Sequence, residues 1–280
     1  HYPLRRQRQM CIRDSLAHAQ SQQHSCLDIS SRTDLIAKLV SLDTVTTIVA
    51  SERGEANTPL VLVKARDDLV LLYLQRYYQY ETEIVRQLAA RNQQTETSTA
   101  FLPMLDELFP ASSDADVEAT TDWQKVAAFQ ALTRQLTIIT GGPGTGKTST
   151  VVKILAAYLS HSNEENSKQN SNDENRAKPP KIRLAAPTGK AASRLAQSIE
   201  GAINQLPENL RAGIPTDVST LHRLIGTRGD GRPNRHHRGN PLNVDLLILD
   251  EVSMIDVVMF NNVLQALPPH ASLILLGDPK

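Results

Sequence analysis

The chain has 280 residues, 40% of them apolar and 21% charged, with 30 basic side chains balanced by 30 acidic ones. That length suffices for two domains, each with its own core. No run approaches the roughly 18–20 continuous apolar residues of a membrane-spanning helix, so no membrane role is expected, and the balanced charge excludes a broadly basic nucleic-acid-binding surface, leaving only a local site.

The opening HYPLRRQRQMCIRDS sets Arg5, Arg6, Arg8 and Arg13 against Asp14 alone and lacks the apolar core of a signal peptide. Residues 1–15 read as a non-native leader outside the fold, with a basic arm touching nucleic acid as the alternative. Without them 26 basic and 29 acidic residues remain, a net charge of −3. Cys11 and Cys26 match no metal-ligand spacing and are too few for a disulfide framework, which points to the cytoplasm.

Residues 16–108 read as a small mixed α/β amino-terminal domain. PLVLVKARDDLVLLYL predicts two short strands turning near Asp67 and Asp68, and QRYYQYETEIVRQLAARN predicts an amphipathic helix. Tyr73, Tyr77, Tyr78 and Tyr80 cluster here. They form either a platform for stacking bases or, more simply, a face packed on the domain itself. Residues 109–121, containing ASSDADVEATT, read as a polar linker.

From Asp122 onward, short apolar runs alternate with helical stretches. The runs QLTIIT, KIRLAAP, VDLLILD and SLILLGD predict a parallel sheet with crossover helices in an α/β domain over 122–280. HSNEENSKQNSNDENRAKPPK, residues 161–181, is too polar to offset its chain entropy and reads as a disordered surface loop. A second loop, 226–241, carries Arg228, Arg232, Arg235 and Arg238, either as phosphate contacts or as solvated charge.

The strongest signal is TIITGGPGTGKTSTVVKILAAYL. Gly141, Gly146, Lys147 and Thr148 satisfy the G-x-x-x-x-G-K-[ST] pattern between a strand and a helix. Gly141, Gly142, Pro143, Gly144, Thr145 and Gly146 curl the backbone so that its N–H groups converge on phosphates, and the helix that starts at Lys147, Thr148 and Ser149 adds its positive end. Lys147 is placed to reach the β- and γ-phosphates, and the Thr148 hydroxyl to ligate Mg²⁺. The acidic pair of VDLLILDEVSMID supplies the other half. Asp250, at a strand tip, holds Mg²⁺, and Glu251 polarises the attacking water as general base. Asp278 ends a further strand on the same edge, where it can sense the γ-phosphate. Lys147, Asp250 and Glu251 are thus the expected catalytic residues, with ATP and Mg²⁺ as cofactors.

With these motifs in place the chain resembles the superfamily 1 DNA helicases, and among them the RecD family, the alpha subunits of exodeoxyribonuclease V. The likeness runs from about residue 50 to 280. DWQKVAAF resembles the Q motif, which implies that Gln124 reads adenine. LAAPTGKAASRLAQSI resembles motif Ia, VSTLHRLIG the next DNA-facing motif, LLILDEVSMID motif II, and LLGDPK the opening of motif III. Pro187, Thr188 and Gly189 form a strand-to-helix turn whose N–H groups and hydroxyl can hold a DNA phosphate. Lys190 and Arg194 lie four apart on one helix face. A plain capping turn is the alternative. Thr220 and His222 are further candidates for the strand, His222 equally a structural histidine.

The resemblance implies 5′-to-3′ movement on single-stranded DNA, inside a complex that processes double-strand ends in recombinational repair. It also implies docking of the amino-terminal domain on RecB-like and RecC-like subunits. Such motors close the γ-phosphate with an arginine from a second RecA-like domain, which these residues do not include. Losing that arginine costs ~10³–10⁵ in rate, so the residues given are expected to bind ATP–Mg²⁺, hydrolyse it poorly and not translocate. The rivals are another P-loop ATPase, such as a kinase, a transporter ATPase or an AAA+ protein, and a nucleotide-binding interaction module without turnover. No LSGGQ-type stretch follows the P-loop, and an AAA+ protein would show Asn or Thr where Gly277-Asp278 stands.

Overall fold

The structure, a computed structural model, describes residues 14–19, 21–22, 24–49, 57–92, 99–110, 121–142, 144–169, 179–229 and 232–278. Most of the 1–15 leader and of the 109–121 linker lies outside them. The chain divides into two compact units, His1–Arg86 with Asp256–Asn261, and Gln87–Ile255 with Asn262–Lys280.

In the first unit, strands β1 (Cys26–Asp28), β2 (Val45–Val49), β3 (Leu60–Lys64) and β4 (Val70–Leu74) form a sheet in the order β1-β4-β3-β2, with helix α1 (Thr33–Val40) between β1 and β2. The expected turn is present. β3 and β4 pair antiparallel, and Asp67 and Asp68 both take φ of 58°, a left-handed conformation that aspartate tolerates better than most residues. Side chains alternate across the pleat. Leu62 and Leu72 join Leu16, Ile29 and Leu39 in one cluster, while Val61, Val63 and Tyr73 join Ile48 in another. Tyr77 and Tyr78 pack against that second cluster, and the Tyr73 and Tyr78 rings meet edge to face at 5.8 Å. The tyrosines therefore serve the domain's own packing.

The helix expected after β4 is α2 (Gln75–Arg91). Its last turn belongs to the second unit, so the division falls at 86/87 rather than at 108. The physical reason is burial. Arg91 is 3% exposed and donates from Nη2 to the carbonyls of Leu267 (3.2 Å) and Pro268 (3.1 Å). Helix α3 (Leu102–Leu108) then buries Leu105 and Leu108, with Phe101 and Phe109 beside it, in the same core as the P-loop helix. Phe109 is thus core rather than linker.

The second unit holds α4 (Trp123–Thr133), β5 (Leu136–Thr140), α5 (Lys147–Gln169), β6 (Ile182–Ala186), α6 (Gly189–Ile203), β7 (Val218–Thr220), α7 (Leu221–Ile225), β8 (Leu246–Leu249), the second half of α8 (Val257–Ala266) from Asn262 onward, and β9 (Ser272–Gly277). The five strands pair parallel in the order β5-β9-β8-β6-β7. All four expected strands form, and β7 is an addition that its three residues made hard to see. Strand β8 is buried along its whole length, as its unbroken apolar run requires of a strand covered on both faces. Val151, Val152, Ile154, Leu155, Ala156 and Ala157 of α5 pack on Leu195 and Ile199 of α6 and on inward residues of the sheet.

One expectation is corrected. Residues 161–169, read as loop, continue α5 to Gln169. A helix already nucleated and packed adds one hydrogen bond per residue fixed, and no Gly or Pro interrupts HSNEENSKQ. Residues 170–178 lie outside the described residues.

Candidate nucleotide site

Because all five strands run parallel, their carboxyl ends lie along one edge of the sheet. The register sets Thr140 of β5 opposite Gly277 of β9, and Ala185 of β6 opposite Leu249 of β8. The ladders run on for one more bond, Gly141 N donating to Gly277 O (3.3 Å) and Asp250 N to Ala185 O (3.0 Å). Gly141, Asp250 and Asp278 therefore leave the sheet together, where open α/β sheets hold their ligands.

Pro143 is outside the described residues; the rest of the loop is a built cradle. Gly144 and Gly146 have φ of 77° and 83°, a region where a side chain is strained. A Cβ on Gly146 would also stand 2.5 Å from Gln124 Nε2. Gln124 is aimed there by the start of α4, where the Asp122 carboxylate accepts from the backbone N–H groups of Gln124 (3.0 Å) and Lys125 (3.1 Å). Its Nε2 donates to the Thr145 carbonyl at 3.0 Å, so Gln124 props the loop from behind. Thr145 Oγ1 donates to Gly142 O at 2.9 Å. Lys147 opens α5, and its Nζ donates to the carbonyls of Gly141 and Gly142 and to Asp278 Oδ1, the last at 2.5 Å.

Opposite the loop, Glu251 N donates to Asp250 Oδ1 at 2.9 Å. Burial pushes the Asp250 carboxyl above its ordinary range; the Glu251 N–H opposes the shift, the Glu251 carboxylate adds to it and Lys147 counters it. Glu251 itself sits at φ 54°, left-handed although it is not glycine. That costs roughly 1–2 kcal/mol, the sort of backbone strain that gathers at functional sites.

These groups face one cleft of about 590 Å³, whose walls include Gly144 through Ser149, Asp250, Glu251 and Asp278. The residues fit a nucleotide phosphate chain and a divalent cation. Gly142, Gly144 and Gly146 put no side chains into the cleft, α5 starts at it, and Thr148 and Asp250 offer oxygen ligands. Among the described residues no cluster of three or more His, Cys, Asp or Glu forms a metal cage; a hard cation held jointly by one carboxylate and substrate phosphates has no need of one.

The candidates for DNA contact separate. Pro187, Thr188, Gly189 and Lys190 sit at the end of β6, the last three exposed. Thr220 ends β7 directly opposite Ala186, and His222 beyond it is exposed, so it is not a core histidine. Both threonines cap helices, Thr188 Oγ1 accepting from Ala191 N (3.2 Å) and Thr220 Oγ1 from Arg223 N (3.3 Å). The capping reading is therefore realised, and each hydroxyl keeps its own proton to donate. Arg194 does not stay with this group; it lines the nucleotide cleft, as do Leu195 and Ser198. Nothing in the sequence reading pointed to Ser198 or to the buried anchor Arg91.

A parallel sheet with a phosphate cradle after one strand and paired carboxylates at the tip of another defines a P-loop NTPase domain. The family model of the AAA domain matches residues 124–280, and the chain belongs to that family. The family's name carries the label that Gly277-Asp278 argued against for an AAA+ protein, while the curated relatives named below are RecD and RecD2 proteins. Over 186 residues the chain is 39% identical to the RecBCD enzyme subunit RecD of Haemophilus influenzae, covering 62% of this chain and 25% of that protein. It is 37% identical over 212 residues to that of Mycolicibacterium smegmatis, covering 75% and 34%. It is also 36% identical over 144 residues to the ATP-dependent RecD2 DNA helicase of Deinococcus radiodurans, covering 51% and 15%. The resemblance to RecD read from the motifs is thus upheld. The chain spans a quarter to a third of the length of the RecD relatives named here.

Proposed function

We propose that the chain is the first motor domain, with an attached amino-terminal domain, of a RecD-type ATP-dependent DNA helicase. One observation carries the reading. The cradle ending in Lys147, the Asp250–Glu251 pair and the exposed Thr188-Gly189-Lys190 turn all leave the carboxyl edge of a single parallel sheet. Nucleotide state and DNA grip therefore share β6 and β8, which are hydrogen-bonded neighbours.

In this reading ATP and Mg²⁺ supply the scissile anhydride and its charge neutralisation. Loop N–H groups and Lys147 orient the phosphates, Thr148 and Asp250 hold the cation, and Glu251 takes a proton from the attacking water. Pro187, Thr188, Gly189, Lys190, Thr220 and His222 hold the backbone of single-stranded DNA. The amino-terminal domain docks on RecB-like and RecC-like subunits, and movement is 5′ to 3′ in recombinational repair of double-strand ends. Among the described residues no helix is long and apolar enough to cross a membrane, and a cytoplasmic location suits work on DNA.

The full-length protein containing this chain is to be tested with 5′-tailed and 3′-tailed duplexes and with single-stranded DNA as an ATPase activator. Hydrolysis stimulated by single strands, with unwinding from the 5′ tail only, is the expected result. Unwinding from the 3′ tail alone would reverse the polarity, and turnover indifferent to DNA would replace the helicase by another P-loop ATPase.

A further inference from the structure

Arg194 belongs to the helix that follows the DNA-facing turn, yet the fold turns it elsewhere. It lies five residues beyond Gly189, which is ~7.5 Å along a helix axis. Leu195 and Ile199, buried at 3% and 0%, pin the inner face of α6 to the core. With that face fixed, Arg194 and Ser198, four apart on one face, line the same cleft as the cradle, Glu251 and Asp278.

The charges in that cleft are unevenly matched. Asp250, Glu251 and Asp278 place three carboxylates around it, and Lys147 is already engaged by Asp278. Arg194 makes no hydrogen bond or ion pair among the described residues, is exposed and lines the cleft. A guanidinium presents a planar fork of donors that matches phosphate oxygens and never loses its charge.

We propose that Arg194 is a phosphate-binding residue of the nucleotide site, contributed by this chain's own α6 and directed at the terminal phosphate. The assignment rests on the nucleotide reading above. The terminal phosphate is favoured over the inner ones because Arg194 lines the same cleft as Glu251, the base assigned to the attacking water, and Asp278, the residue placed to sense the γ-phosphate. Arg194 then links the helix that starts at the DNA-facing turn to the nucleotide, so α6 is touched by one ligand at its first turn and by the other at its second.

The test compares Arg194→Ala and Arg194→Lys with the unaltered chain by titrating ATPγS, ADP and an oligo-dT strand, with Lys147→Ala as control. Arg194→Ala should weaken ATPγS about tenfold, the size of one lost charge-assisted hydrogen bond. ADP and oligo-dT should change less than about twofold, and Arg194→Lys should restore part of the loss. Unchanged ATPγS affinity, or a loss confined to oligo-dT, would overturn the assignment and return Arg194 to the DNA. An equal loss for ATPγS and ADP would equally overturn its direction toward the terminal phosphate. If Lys147→Ala also binds ATPγS normally, the nucleotide reading itself fails, separately from Arg194.

Discussion

Lys147 Nζ lies 2.5 Å from Asp278 Oδ1, joining the first residue of the P-loop helix to the end of strand β9. The two residues are 131 apart in sequence and meet because Thr140 and Gly277 are register partners. Asp278 is about half exposed, so the pair contributes at most about 1 kcal/mol. Its consequence lies in competition: phosphates arriving at Lys147 must displace a carboxylate that also repels them.

Asp278→Asn should therefore tighten ADP binding, by about two- to fivefold, since it removes an attraction worth ~0.5–1 kcal/mol that the phosphates replace. Lys147→Ala should remove measurable nucleotide binding. Calorimetric titration of both variants checks this, and weaker ADP binding by Asp278→Asn would show the carboxylate assisting the ligand instead.

Glu251 combines a chemical role with a strained backbone. Glu251→Gln keeps the shape and loses the proton acceptor, so nucleotide affinity should hold while hydrolysis by the full-length protein falls ~10²–10⁴-fold. Glu251→Gly should be equally inactive yet no less stable, gaining up to about 1 kcal/mol as relief of the left-handed strain outweighs the added chain entropy. Paired turnover and thermal-unfolding measurements read both effects.

Asp250 gives a pH dependence with a definite sign. Its folded pKa is raised above the unfolded value, chiefly by burial. The native state therefore holds its proton to higher pH than the unfolded chain does. The associated stability is complete below the unfolded pKa and is lost as pH rises through the folded one. Asp250→Asn should accordingly stabilise the chain at neutral pH, with the gain fading toward acid. Affinity for Mg²⁺ in the unaltered chain should drop as pH falls through the raised pKa. Melting temperatures across pH, with and without Mg²⁺, test both statements.

Gly146→Ala sets a methyl 2.5 Å from Gln124 Nε2 at φ 83°. The strain should lower stability by ~1–2 kcal/mol and weaken nucleotide binding. Adding Gln124→Ala relieves the clash but not the backbone strain, so the double variant should recover only part of the stability. Full recovery would show that the close approach to Gln124, and not φ, fixes glycine here.

The sequence alone determined whatever depends on near neighbours in the chain. The four apolar runs became β5, β6, β8 and β9, because a continuous run bounded by polar residues has few ways to bury itself. The glycines and Lys147 announced the cradle, since the backbone must curl within a few residues. Asp67 and Asp68 marked their turn for the same local reason.

What depends on distant chain segments came only with the tertiary structure. The division at 86/87 follows from Arg91 meeting the carbonyls of Leu267 and Pro268, a contact across some 176 residues that no local pattern encodes. The extent of α5 through the polar stretch at 161–169 followed from the packed helix preceding it. The partner of Lys147 was set by strand order, which the alternation of runs does not specify. Arg194 shares a helical face with Lys190 in any sequence reading, and the two differ by one turn along α6: Lys190 stays at the end of β6, whereas Arg194 lines the nucleotide cleft once Leu195 and Ile199 fix which face of α6 meets the core. Spacing places side chains on a helix; the burial of the opposite face decides what each of them meets.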